Sequence, residues 1–184
     1  KLTKIKIPPF LDKFLTIIKQ NSNSPDKKTK FSSAICITAL INLFPNDDNV
    51  YYYQPVIEKL LEPGYRPIID IGALVLDRFA RISGPNRDRF LSDLILKCRI
   101  ISNHSASTEV KYTAAVIWKE LAHSYPEGFN NLKRSFFDDF FLCIENEKNE
   151  KIINYLLICT ITELFKSEAA SVEVNFLENL HESI

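Results

Sequence analysis

Two wide apolar stripes with helical spacing, separated by a proline and a glycine, constrain the fold more than any other feature of this sequence. The first stripe lies between Val110 and Leu121, and the second between Leu132 and Ile144. Apolar residues at this spacing share one face of an α-helix. The break between them, at Ser124–Gly128, combines a proline that disfavours a helical residue before it with a glycine that suits a helix end. The segment therefore predicts a helical hairpin, and stripes this wide need neighbours on both sides to be buried.

The rest of the chain repeats this pattern. Only four glycines occur in 184 residues, which is few for a sheet protein rich in tight turns. Equivalent inward positions recur at Ile35, Ile71, Thr113 and Leu156, in steps of 36, 42 and 43 residues. Helical HEAT and armadillo repeats have periods of about 40 to 47 residues. We therefore predict an all-α fold, an α-α superhelix (a HEAT/armadillo-like solenoid) of about four helical hairpins.

Turn signals suggest how the chain is divided. A leading helix and linker occupy 1–24, and HEAT-like repeats occupy 25–184. The predicted repeats are 25–64, 65–102, 107–146 and 148–184. Because the chain begins at Lys1 and contains no methionine, we expect it to be a fragment of a much longer chain.

Polar residues predict several helix boundaries. Ser24 is predicted to cap a helix that begins at Pro25. Asn86 is predicted to cap the helix that follows Ser83–Pro85, and Ser107 or Thr108 to cap the first helix of the central hairpin. Pro55 is placed in the first turn of its helix. Phe31 and Ile35 are placed on the inward face of theirs, and a separate last helix is predicted over 167–184.

Motifs for catalysis and metal binding are absent from the sequence. His104, His123 and His181 are far apart, so they do not predict a metal site. Asp138 and Asp139 are adjacent on a predicted helix and point about 100° apart, so they cannot flank one substrate atom. The loop pair Asp47–Asp48 is interpreted as capping residues. We expect no catalytic residue, no metal and no cofactor in this segment.

The four cysteines and the hydropathy pattern indicate the compartment. Cys36, Cys98, Cys143 and Cys159 are widely separated among apolar residues, which is typical of free, buried thiols in a reducing compartment. No apolar run reaches the roughly 18 residues that a membrane span needs. The sequence therefore predicts a cytosolic or nuclear chain.

Charge is balanced overall but uneven along the chain. The net charge is zero, whereas residues 1–30 hold eight lysines against two aspartates. Solvated helix faces explain such a run most simply. A second interpretation is a solenoid that binds nucleic acid or an acidic membrane through residues 1–30.

Aromatic and basic residues predict a protein interface. Three successive tyrosine rings on one helix cannot all face inward, and exposed tyrosine is enriched at interfaces. The phenylalanines between Phe136 and Phe141 fit core packing better than a peptide groove, because they lie on the stripe that must be buried. The candidate interface residues are Tyr51, Tyr52, Tyr53, Arg87, Arg89, Lys97, Lys133 and Arg134.

Residues 25–166 resemble the N-terminal HEAT solenoid of the target of rapamycin (TOR) kinase family. The resemblance is carried by Tyr112–Ala122 followed by Ser135–Phe141, and by Ala73–Ala80 with Gly84 and Phe90–Asp93. It implies a scaffold segment whose kinase domain lies elsewhere on a longer chain. It also implies docking of regulatory subunits, a raptor-like subunit in particular, and a cytoplasmic location that includes the surface of endomembranes.

Together these features predict a non-catalytic docking scaffold of a TOR-type kinase. A generic HEAT or armadillo interaction adaptor is the alternative within the same fold. The solenoid that binds nucleic acid or acidic membrane remains the alternative from another functional class.

Overall fold

The computed structural model describes Pro8 and residues 11–102, 106–132 and 151–182, with the side chains of the last helix described through Ser167. Seven α-helices and no strand occupy these residues, which confirms the all-α prediction. The helices are α1 (Asp12–Ser22), α2 (Lys27–Leu43), α3 (Val50–Leu60), α4 (Arg66–Ala80), α5 (Pro85–Lys97), α6 (Thr108–Ser124) and α7 (Lys151–Glu182). Three-ten helices precede α3, follow α5 and follow α6, at Asp47–Asn49, Cys98–Ser102 and Pro126–Leu132.

Side-chain caps fix two of the helix starts. The hydroxyl of Ser107 accepts a hydrogen bond from the Val110 N–H at 3.4 Å and caps α6, which agrees with one of the two predicted residues. The predicted cap at Ser24 is wrong. The Asp26 carboxylate caps α2 instead, because it accepts both the N–H of Thr29 at 2.8 Å and the Thr29 hydroxyl at 2.6 Å.

The start of α5 is capped from another part of the chain. The helix begins at Pro85, directly after Gly84, so the predicted cap by Asn86 is wrong. The carboxylate of Asp47 accepts the backbone N–H of Asn86 at 3.0 Å and that of Arg87 at 2.8 Å. Asp47 lies between α2 and α3, so this cap joins α5 to a loop about 40 residues earlier in the chain.

Proline and glycine explain where the helices end. The predicted break after α6 is confirmed, since the helix ends at Ser124 and a three-ten helix begins at Pro126. The predicted break near Ser167 is wrong: α7 runs without interruption to Glu182, and the sequence offers no proline or glycine in this range to stop it. The predicted second helix of the central hairpin, with its phenylalanines and Cys143, lies outside the described residues beyond Leu132.

The helices pack as neighbours along two series. In the first series α2 contacts α4, α4 contacts α6, and α6 contacts α7. In the second, α3 contacts α5, and each of these also contacts the helix before it in the chain. Helix α1 packs on α2 and α3. Within the described ranges, α2 makes no close backbone contact with α6, and α4 makes none with α7, although Leu74 of α4 and Cys159 of α7 line one cleft. Among the described helices, each one therefore contacts mainly its neighbours in the chain and the members of its own series.

Every described helix contributes residues to the hydrophobic core. Its largest fully buried side chains include Tyr53, Phe79 and Trp118. The indole N–H of Trp118 donates to the Ile95 carbonyl at 3.1 Å and ties α6 to α5. The predicted inward face of α2 is partly wrong, because Phe31 and Ile35 are 45% and 58% exposed. Helix α2 carries apolar residues on most of its sides, so helical periodicity alone does not show which face is buried. The buried face is formed by Ala34, Ile37, Leu40 and Ile41.

Candidate protein-docking site

The three successive tyrosines point in three directions because α3 already begins at Val50. Tyr53 is fully buried, and its hydroxyl donates to the Phe44 carbonyl at 2.9 Å. Burial raises the pKa of this phenol. Tyr53 is therefore a core residue that joins α3 to the end of α2, and its ring is not available to a partner. Tyr52 is half-buried, and Tyr51 is 68% exposed.

Tyr51 and Tyr52 form a pair at the surface. Their ring centroids are 4.2 Å apart and the ring planes are inclined by 38°. A hydrogen bond with Tyr51 is the main reason why the pKa of Tyr52 is raised, and desolvation adds to it. Because the rings restrain each other, a partner would meet a partly ordered aromatic surface, which lowers the entropic cost of binding.

Pro55 affects the same turn of α3. The helix starts five residues before this proline, so the prediction that Pro55 lies in the first turn is wrong. In an α-helix the N–H of residue 55 would donate to the carbonyl of residue 51, but proline has no N–H. The Tyr51 carbonyl therefore lacks its usual donor within the helix, at the position where its side chain is exposed.

Tyr51 lies between two clefts and lines both of them. The first, which we call the aromatic cleft, separates α1 from α3 and has a volume of about 410 Å³. Its walls are Asp12, Leu15, Thr16, Lys19, Tyr51, Tyr52 and Pro55. The second, which we call the carboxylate cleft, separates α3 from α5 and has a volume of about 520 Å³. Its walls are Asp47, Asp48, Val50, Tyr51, Gln54, Asn86, Arg89, Phe90 and Asp93. We call the two clefts together the Tyr51 surface.

The predicted basic residues separate into two groups. Arg89 lines the carboxylate cleft, next to Tyr51. Arg87 does not: its guanidinium lies 4.7 Å from the centre of the Tyr125 ring and 3.6 Å from the Glu127 carboxylate, and its side chain is 11% exposed. Arg87 therefore joins α5 to the chain after α6.

Lys97 lies outside both clefts. Its ammonium is 3.6 Å from the Glu58 carboxylate, at the C-terminal end of α5. Lys133 and Arg134 lie outside the described residues. The structure thus brings together Tyr51, Tyr52 and Arg89 from the predicted set.

Sequence reasoning missed the acidic wall of the site. Asp47 and Asp48 were interpreted as capping residues, which holds for Asp47, but nothing in their spacing placed Asp93 beside them. The packing of α3 against α5 does so, because it brings one face of α5 to the loop before α3. The sequence signal for this wall was the acidic residue Asp93 on the helix that begins at Pro85.

Other polar clusters in the described residues do not form a chemical site. No group of three His, Cys, Asp or Glu side chains there has the geometry to hold a metal ion. The Nδ1 of His123 lies 3.3 Å from the Glu163 carboxylate and joins α6 to α7. Bonds to Lys166 and then to His123 lower the pKa of Glu163. Cys98 is buried, and burial raises the pKa of its thiol, so this cysteine is not poised as a nucleophile.

Comparison with known proteins finds no family model, no curated protein and no solved structure that matches this chain. Among the described helices, none has both the length and the apolar character that crossing a bilayer would require. The Tyr51 surface and the packing of the helices are therefore the basis for a functional proposal.

Proposed function

We propose that this chain is a non-catalytic scaffold segment of the HEAT type, which docks partner proteins on the Tyr51 surface. The observation that carries the proposal is a tyrosine that is 68% exposed and lines two clefts, one between α1 and α3 and the other between α3 and α5. Tyrosine is enriched at protein interfaces because its ring contributes a large contact area at a low entropic cost. Clefts between helices are also frequent binding positions in helical proteins.

Contacts that recur between successive helix pairs support the repeat organisation. The Lys27 ammonium lies 3.8 Å from the centre of the Tyr65 ring, and the Arg66 guanidinium lies 4.5 Å from the centre of the Tyr112 ring. In each case a cation at the start of one first helix contacts an aromatic residue near the start of the next. Lys27 and Arg66 are 39 residues apart and the two tyrosines 47, as their numbers give. These steps are close to the period of about 40 to 47 residues of HEAT repeats.

Packing between neighbours supports an open series of helix pairs. The Asp47 cap on α5 joins the first pair to the second, and Trp118 joins the second to α6. A series of this kind contacts its partners along an extended surface and needs no catalytic cleft.

The resemblance of residues 25–166 to the TOR solenoid suggests the class of partner. On this proposal the chain belongs to a TOR-type protein kinase, and the Tyr51 surface holds a regulatory or substrate-recruiting subunit of the complex, such as a raptor-like protein. The catalytic domain would lie on another part of the parent chain, which fits the absence of a catalytic constellation from this sequence.

Affinity purification tests this proposal. The tagged 184-residue chain is expected to retain a subunit of a TOR-type kinase complex from a cell extract. Tyr51→Ala should weaken that retention about tenfold or more, which is the range of interface hot spots. Tyr155→Ala is the matched control, because Tyr155 is 66% exposed on α7 and lines neither cleft.

Two results would count against the proposal. If the wild-type chain retains no kinase-complex subunit while a neighbouring segment of the parent chain does, the assignment to this kinase class is wrong. If Tyr51→Ala and Tyr155→Ala reduce retention equally, the docking site is not the Tyr51 surface.

A further inference from the structure

We propose that the segment docked on the Tyr51 surface is basic and amphipathic, with Lys or Arg side chains in the carboxylate cleft and an apolar side chain in the aromatic cleft. This inference rests on the proposed function, and it specifies the chemistry of the partner. It follows from the charge, the apolar walls and the hydrogen-bonding groups of the two clefts.

The carboxylate cleft has an excess of negative charge. Three aspartates line it, at 47, 48 and 93, against the single cation of Arg89. Asp47 is already engaged by two N–H groups of α5. Among the described residues, no cation lies within ion-pair distance of the Asp48 or Asp93 carboxylate. The carboxylates of Asp48 and Asp93 are therefore free to form ion pairs with a cationic partner.

The remaining groups of this cleft also favour a cation with several N–H donors. The exposed face of Tyr51 can accept a cation over its ring, as the rings of Tyr65 and Tyr112 already do within this chain. The side-chain amide of Gln54 adds a further acceptor. A guanidinium or ammonium group satisfies such acceptors, whereas a carboxylate or phosphate does not.

The aromatic cleft has a different character. Leu15, Tyr52 and Pro55 give it apolar walls, and the charges of Asp12 and Lys19 offset each other. An apolar side chain is the natural occupant of such a cleft. Because Tyr51 lines both clefts, one continuous segment can place an apolar residue on one side of the ring and a basic residue on the other.

Nucleic acid and acidic lipid fit this surface poorly. Both present phosphate groups, which two unpaired carboxylates repel. The charge of the carboxylate cleft thus favours a basic protein segment over nucleic acid or acidic lipid as the partner.

Fluorescence anisotropy with the full chain tests the inference. The probes are two labelled peptides about twelve residues long, one built of alternating pairs of leucine and lysine and the other of leucine and glutamate. We expect the lysine peptide to bind with an affinity that falls as salt is added, and we expect the glutamate peptide not to bind. The double variant Asp48→Asn/Asp93→Asn should weaken binding of the lysine peptide about tenfold.

A matched double variant separates local charge from overall charge. Glu62→Gln/Glu109→Gln removes two negative charges at exposed positions outside both clefts and should change the affinity less than twofold, since distant exposed charges are screened by salt. Equal weakening by the two double variants would overturn the inference, as would equal affinity for the two peptides or tighter binding of a labelled DNA duplex. Any of these results, combined with loss of partner retention by Tyr51→Ala, would leave the proposed function standing with a partner of different chemistry.

Discussion

Replacing Trp118 with alanine is expected to lower the free energy of unfolding by about 3–5 kcal/mol, the range for a large aromatic side chain removed from a protein core. Trp118 is fully buried on α6, and its indole N–H donates to the Ile95 carbonyl of α5 at 3.1 Å. Alanine would leave a cavity and would also remove the donor from that carbonyl. Urea denaturation followed by circular dichroism measures the loss.

Two further variants identify the cause of that loss. Trp118→Phe keeps most of the ring volume but removes the N–H, so we expect it to cost about 1–3 kcal/mol. Tyr155→Ala removes an exposed ring, and its free energy of unfolding should stay within about 0.5 kcal/mol of that of the wild type. If Trp118→Ala were no more costly than Tyr155→Ala, the buried indole and its hydrogen bond to Ile95 would not stabilise the contact of α6 with α5.

Gly84→Ala is the second substitution with a large expected effect, a loss of about 2–5 kcal/mol in the free energy of unfolding. Gly84 has a φ of +152°, which L side chains rarely adopt, and a Cβ there would lie 2.3 Å from the Cγ of Asp47. The substitution would therefore add backbone strain and also displace the carboxylate that caps α5. Thermal and urea unfolding of the variant measure the combined loss.

The chain offers a matched control at Gly64. This glycine has a similar φ of +156°, but no atom lies within 4 Å of where its Cβ would be. Gly64→Ala should therefore cost only the strain, about 1–3 kcal/mol. We expect Gly84→Ala to cost about 1–2 kcal/mol more, which is the value of a helix cap. Equal losses would mean that the Asp47 cap on α5 contributes nothing to stability.

Local signals in the sequence were sufficient to predict the first six described helices and the break after α6. Pro126 ends the segment of α6, and Ser107 caps its start, because both effects act within a few residues. The start of α5 could not be predicted in this way, since its cap comes from Asp47, about 40 residues earlier. The inward face of α2 was ambiguous because Phe31 and Ile35 form a second apolar face.

The candidate site was predictable in part. Three successive tyrosines required at least one exposed ring, and Tyr51 is that ring. Which ring it would be depended on where α3 begins, and that start lies five residues before Pro55. The carboxylate wall depended on tertiary packing, because Asp48 and Asp93 are far apart in the sequence. The contacts of α5 with α3 and with the three-ten helix Asp47–Asn49 bring them to one cleft.

Site-specific photo-crosslinking in cells tests the docking role of the Tyr51 surface most directly. The photoreactive residue benzoylphenylalanine would replace Tyr51 in one sample and Tyr155 in another, since the two positions are 68% and 66% exposed. We predict a crosslinked partner from position 51, joined through a segment that contains lysine or arginine, and no such product from position 155. Crosslinks from position 155 with none from position 51 would contradict the proposal that this surface docks the partner.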